Sequence, residues 1–282
     1  MFKNISSIPF IGSKWRYRNK IFNIISNDDF FKDKLNNNFI FIDVFGGSGA
    51  LTLIFKEIFK NSTFIFNDYD RIITNDLNEN IIDETIKKGN EIIKEIKENV
   101  QTMGHNVRFT KEEEDKINDI LKKYKKDIED DSQLRHIIES QLVFNCRNLD
   151  LNKKNNYFSR FKKSNNENYF KNFDKVKIIH KSSDEIFKNI DKFNKYNVIF
   201  ILDPPYLNYQ MKNQYKTRHW TFKQYLNMLE KTLNYKCIYF EDQNNSLDNI
   251  FDFISNISTK INYNIHILEN KKGKQDIMLI KY

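Results

Sequence analysis

Short apolar runs recur along this chain, separated by polar text rich in Asn and Lys. The runs dense in β-branched and aromatic residues predict strands: Phe39 to Val44, Thr63 to Asn67, Val176 to His180, Asn197 to Leu202, Lys236 to Glu241, Tyr263 to Leu268 and Ile277 to Tyr282. Those at 39–44 and 197–202 are nearly all apolar, as expected of strands covered on both faces in a parallel sheet. Between Ala50 and Lys60 the period lengthens, and Leu51, Ile54, Phe55, Ile58 and Phe59 fall on one helical stripe. Strands alternating with helices predict a doubly wound α/β layer. The last two runs are joined by Glu269 to Gln275, which contains Gly273, and predict an antiparallel hairpin.

From about residue 72 to 175 the pattern changes. Charged helical text dominates, as in Lys111 to Lys126 and Ser132 to Phe144, followed by an irregular stretch from Asn148 to Asn172. This region reads as an insert carried by the α/β layer. The expected division is residues 1–71 with 176–282 as one α/β domain, and 72–175 as a helical and irregular insert. No internal repeat is visible.

Composition narrows the class only a little. The net charge is +8, which suits a polyanionic partner, but the abundance of Asn, Ile and Lys fits an AT-rich coding sequence equally well. Two cysteines, Cys146 and Cys237, form no CxxC pair, so neither a zinc site nor a disulfide framework is indicated, and no metal is expected. A reducing, cytoplasmic setting is the expectation. No apolar run is long enough to span a bilayer, and the first residues do not resemble a signal peptide.

Glycine and proline are scarce, and their placement is informative: Pro9 and Gly12 near the start, Gly46, Gly47 and Gly49 after the first buried strand, and Pro204 and Pro205 after the second. Glycines at a strand-to-helix turn let a ligand approach backbone, and the helix N-terminus behind them suits a carboxylate. Asp43-Val44-Phe45-Gly46-Gly47-Ser48-Gly49 is such a turn, and its spacing is not that of a dinucleotide fingerprint. Asp68, at the end of the next strand, can accept from ribose hydroxyls or serve as a helix N-cap. In Asp203-Pro204-Pro205-Tyr206 the prolines stiffen the loop and remove two N–H donors, leaving acceptors available for a substrate amine. Tyr206 adds a face on which a planar base can stack. Ile8 to Arg16 is either a surface arm or a segment whose aromatic and Lys pack on a cofactor.

Taken in order, these segments resemble the Dam-type DNA adenine-N6 methyltransferase family. The resemblance rests on Pro9-Phe10-Ile11-Gly12-Ser13-Lys14, Phe41 to Gly49, Asn67-Asp68-Tyr69-Asp70, Asp203-Pro204-Pro205-Tyr206 and Lys274 to Ile280. His180 to Asp184 sits where the family often has an acid near the cofactor's adenine. Phe10 stands where many members have Trp, and Phe240-Glu241-Asp242-Gln243 differs from the small polar residues often found there.

The resemblance implies a Rossmann-like methyltransferase sheet of about seven strands with a helical inserted target-recognition region. It implies S-adenosyl-L-methionine as cofactor, held by Phe10, Gly12, Lys14, Asp43, Phe45, Gly46, Gly47, Gly49, Asp68, Asp184 and Asp203. It implies double-stranded DNA as partner and methylation of a flipped adenine at Asp203, Pro204, Pro205 and Tyr206, in the setting of DNA methylation and restriction–modification. DNA contacts are expected at Lys153, Lys154, Arg160, Lys162, Lys212, Lys216 and Arg218, where cations are interleaved with aromatics. The oligomeric state stays open, with a monomer favoured. Two other readings stay open: a catalytically retired DNA-binding protein of the same fold, and an amino-methylating enzyme acting on RNA or cytosine.

Overall fold

The computed structural model describes residues 14–69, 79–100, 109–142, 149, 151, 172–193, 197–205, 221–242, 262–269 and 275–282. Its chain forms two compact units, one of Lys14–Asp70 with Lys175–Tyr282 and one within Arg71–Asp174.

The first unit is built on a mixed sheet. Five parallel strands, β1 (Ile40–Asp43), β2 (Thr63–Asn67), β3 (Val176–Ile179), β4 (Val198–Leu202) and β5 (Lys236–Asp242), are joined by the antiparallel pair β6 (Tyr263–Glu269) and β7 (Gln275–Lys281). The order is β3-β2-β1-β4-β5-β7-β6. All five residues of β4 are buried, as their unbroken apolar run requires. The chain steps from β1 to β2 on one side, then returns through β4 on the other. Such a reversal opens a crevice beyond the carboxyl ends of β1 and β4, the usual ligand position in open α/β sheets.

Each face has its own cover. On one, Phe41 lies among Phe55 of helix α2 (Ala50–Ile58), Phe59 at that helix's C-cap and Phe64 of β2, with ring centroids 4.8–5.6 Å apart. The 3-10 turn Lys14–Tyr17 leads into α1 (Arg18–Asn27), which buries Ile21 and Ile25. The other face brings Ile42, Val44, Phe200 and Leu202 into one apolar cluster with Ile186 and Phe187, and with Tyr225, Met228 and Leu229.

The second unit is helical among its described residues: α3 (Glu79–Asn99), α4 (Lys111–Lys123), α5 (Lys125–Asp130) and α6 (Ser132–Leu142). Ile92, Ile96, Ile117, Leu121, Ile128, Leu134 and Ile138 share its core. Helix α3 meets α6 where Gly89 has no side chain, since a Cβ there would lie 2.7 Å from Ile137 Cγ2. Returning to the first unit, α7 (Ser183–Lys188) and α8 (Phe222–Thr232) each begin with a reciprocal capping box, Ser182 with Glu185 and Thr221 with Gln224. These two supply the aliphatic and aromatic cover of the Ile42 face.

The strands fall where the apolar runs predict them, with ends moved by one or two residues. Strand β7 starts earlier, at Gln275, because Asp276 still pairs with Asp242 and Leu268. The helical text 111–126 is divided at Tyr124. The 3-10 turn and α1 were not anticipated from the pattern. No described helix is long and apolar enough to cross a membrane. Phe41→Ala is expected to lower stability by about 3–5 kcal/mol, because the rings around it cannot close the void, as urea unfolding would measure.

Candidate active site

Strand β1 delivers Asp43 to the crevice, and the loop after it is shaped by close approach. Asp43 pairs with Phe66 in the β1–β2 register, so the departing chain crosses the end of β2. A Cβ on Gly46 would lie 2.1 Å from the Phe66 ring and 2.8 Å from the Asn67 carbonyl, which leaves room for glycine only. Gly47 and Gly49 have φ of 51° and 71°, the left-handed region that glycine adopts without strain. Gly49 caps α2 through its carbonyl, which accepts from the Leu53 amide at 3.0 Å. Its N-cap, Gly49, has no side chain to cap it with and its first turn holds no acid, so its amide dipoles present a positive end at the loop.

Asn67 holds the neighbouring strand ends together. Its Nδ2 donates to the carbonyls of Val44 and Lys181, and its Oδ1 accepts from the Lys181 amide, each at 2.9 Å. One amide side chain thus ties the carboxyl ends of β1, β2 and β3. Asp68 beside it is buried, and its backbone amide donates to Ile179. Asp184 lies exposed in the first turn of α7, beyond β3.

Charged side chains gather at the ends of β1, β4 and β7. Lys14, 2 % exposed, donates to both carboxylate oxygens of Asp203, at 2.7 and 2.9 Å. Its ammonium also stands 6.0 Å from the centre of the Phe240 ring. The lysine expected to meet a cofactor carboxylate is therefore engaged with the acid of the proline loop. Two residues further along the same turn, Arg16 Nη2 donates to Asp276 Oδ2 at 3.1 Å. Pro204 is buried and Pro205 half-buried, and neither carries an N–H, so their backbone offers only acceptors.

Asp43 is 1 % exposed and accepts from the Thr52 hydroxyl at 2.7 Å through Oδ2. Its Oδ1 is buried with no hydrogen-bond partner among the described residues. Burial pushes this carboxyl up to about 7, and the nearby charge of Asp203 adds to the push, whereas the Thr52 hydroxyl and the Thr52 and Phe45 amides oppose it. Asp203 is also raised, first by burial; Lys14 opposes that rise and Asp276 adds to it. Nothing among the described residues groups His, Cys, Asp and Glu as a metal site would.

The structure brings Lys14, Asp43, Gly46, Gly47, Gly49, Asp203, Pro204 and Pro205 to the crevice end of the sheet, with Phe45 half-buried against the Val44 cluster. Asp68 and Asp184 lie one and two strands away, after β2 and β3. Phe10, Gly12, Tyr206, Lys153, Lys154, Arg160, Lys162, Lys212, Lys216 and Arg218 lie outside the described residues. Thr52, Asn67, Arg16 and Asp276 were given no role of their own from the sequence, although Asn67, Arg16 and Asp276 lie in the segments quoted above.

A raised carboxyl favours the folded state most at low pH, and that contribution is lost as pH rises through its folded value, here about 7. The isosteric Asp43→Asn does not titrate. Its stability relative to wild type is therefore expected to rise between pH 5 and pH 8, measured by urea unfolding at both.

No curated protein matches this chain closely enough to count as a relative. A family model described as D12 class N6 adenine-specific DNA methyltransferase matches residues 10–272, nearly the whole length. That span takes in the glycine turn, Asp43, Asp203 and the proline loop in one pass. The chain belongs to the D12 class of N6 adenine-specific DNA methyltransferases and is an enzyme that methylates adenine in DNA.

Proposed function

We propose that the methyl donor is S-adenosylmethionine, and that an adenine turned out of double-stranded DNA is held by Asp203 and the Pro204 carbonyl. One observation carries this reading: a carboxylate and an N–H-free backbone share the crevice with a glycine turn and an uncapped helix N-terminus.

The residues fit such a donor. Its amino-acid portion bears a carboxylate and an ammonium group. The first turn of α2 offers amides without a side-chain cap, and Asp43 offers a buried oxygen without a described partner. Gly46 and Gly47 let a ligand approach backbone. When bound, S-adenosylmethionine supplies an electrophilic methyl on sulfur.

The amine of adenine is a poor nucleophile, because its lone pair is delocalised into the ring. Ionised Asp203 and the Pro204 carbonyl accept its two N–H hydrogens, which draws the nitrogen toward a tetrahedral shape and frees the lone pair. Lys14 keeps Asp203 in its acceptor form and fixes its rotation. The incoming amine then competes for an oxygen that Lys14 already holds. As the nitrogen takes the methyl, whose bond to sulfur would break to leave a neutral thioether, it becomes cationic; the fixed acceptors stabilise it, and one of its protons then passes to solvent. Alignment of the reactants supplies much of the remainder, roughly 7–11 kcal/mol in well-oriented cases. Turning the base out of the duplex costs a few kcal/mol, and Tyr206 is the proposed stacking surface. We assign catalysis to the sheet unit and target recognition to the 72–175 region, with the seven Lys and Arg residues named above as phosphate contacts.

Incubation with methyl-labelled S-adenosylmethionine and unmethylated DNA tests the reaction. The expected product is N6-methyladenine, and label on cytosine would overturn the reading. Asp203→Ala should lower turnover by about 10²–10³-fold or more with donor binding retained in equilibrium dialysis. Turnover at the wild-type rate would remove Asp203 from the chemistry.

A further inference from the structure

The second ion pair of the crevice has no part in the mechanism above. Asp276, the second residue of β7, pairs in backbone register with Asp242 of β5, and its side chain is 8 % exposed. A carboxylate buried to this degree is unfavourable unless a cation accompanies it. Arg16 is that cation. It reaches Asp276 with one Nη2 bond at 3.1 Å, its guanidinium carbon 4.6 Å from the centre of the Tyr17 ring and its side chain 46 % exposed. Lys14 and Arg16 leave the same 3-10 turn, one for the end of β4 and the other for the start of β7.

We propose that Arg16 is a positioning residue for the methyl-transfer site: its bond to Asp276 seats the 3-10 turn and cancels a charge that would otherwise act on Asp203. The proposal rests on the assignment of Asp203 above. Among the described residues, the charged groups that face Asp203 are Lys14 and Arg16 from the turn, Asp276 from β7 and Asp43 from β1. Lys14 and Arg16 favour the ionised carboxylate and Asp276 disfavours it, while the charge of Asp203 in turn raises Asp43. Tyr17 shares Arg16 and Asp276, and burial raises its phenol, so it stays neutral in the working range. Losing Arg16 leaves Asp276 uncancelled, and Asp203 then holds its proton to higher pH. Losing Asp276 has the opposite sign. Losing both returns the balance close to its start.

That sign pattern separates the proposal from a purely structural salt bridge. The test is a ¹³C carboxyl titration of full-length, aspartate-labelled protein, with the Asp203 signal assigned by its absence in D203N. It is paired with the pH dependence of methyl transfer to unmethylated DNA. In R16Q the Asp203 midpoint and the acid limb of the rate should both move up, on the order of half a unit. In D276N both should move down, in R16Q/D276N both should return toward wild type, and R16K should restore them. Loss of activity at every pH, with the midpoint unmoved and no recovery in the double variant, would overturn the proposal. So would an unmoved midpoint with only a flatter salt dependence, which would make Arg16 a phosphate contact. If wild-type protein transfers no methyl group, the functional assignment fails while the carboxyl titration still decides the charge relation.

Discussion

The proposed mechanism depends on keeping a largely buried carboxylate, Asp203, ionised. Burial alone drives Asp203 toward its neutral form, and a neutral acid has lost part of its capacity to accept hydrogens from an amine. Lys14, almost fully buried itself, solves both problems at once, since each of the two charges would be unfavourable there without the other. The pair also connects the start of the chain to a strand end 189 residues later. The N-terminal turn thereby becomes part of the crevice.

Close packing beneath the loop supplies the rest of the geometry. Phe66 and the Asn67 carbonyl press against Gly46, so the backbone there lies lower than any side chain permits. Asn67 fixes the height of three strand ends by bonding the chain on either side of it. Such fully satisfied buried amides hold a local structure firmly, because each broken bond would leave a polar group without water. The loop over α2 is thus held from below by packing and from the side by hydrogen bonds.

Much of this was legible in the chain. The nearly unbroken apolar runs of β1 and β4 and the alternation of strands with helices told of a covered parallel sheet, and scarce glycines and prolines marked both loops of the crevice. Asp203 was readable because two prolines follow it directly. Harder to read were contacts between residues far apart. The bond of Lys14 to Asp203 is one of these, because sequence shows a cation's neighbours along the chain, not the acid it meets after folding. Asn67 and Thr52 are ordinary residue types whose roles come from the register of β2 and the start of α2. Asp276 sat in a strand whose polar first residues gave no periodic signal, and its pairing with Asp242 sets its position instead.

The missing N–H groups of Pro204 and Pro205 bear on which bases the pocket tolerates. In the proposed pose, ionised Asp203 and the carbonyls of the two prolines present lone pairs there, and the proline backbone presents no hydrogen. An exocyclic amine matches it, hydrogen toward oxygen. Thymine or guanine, turned in with a keto oxygen at the same place, would set lone pair against lone pair with no proton between them. In the proposed mechanism, discrimination between bases at this point would follow from what two imino acids cannot donate, before any shape or stacking preference is added.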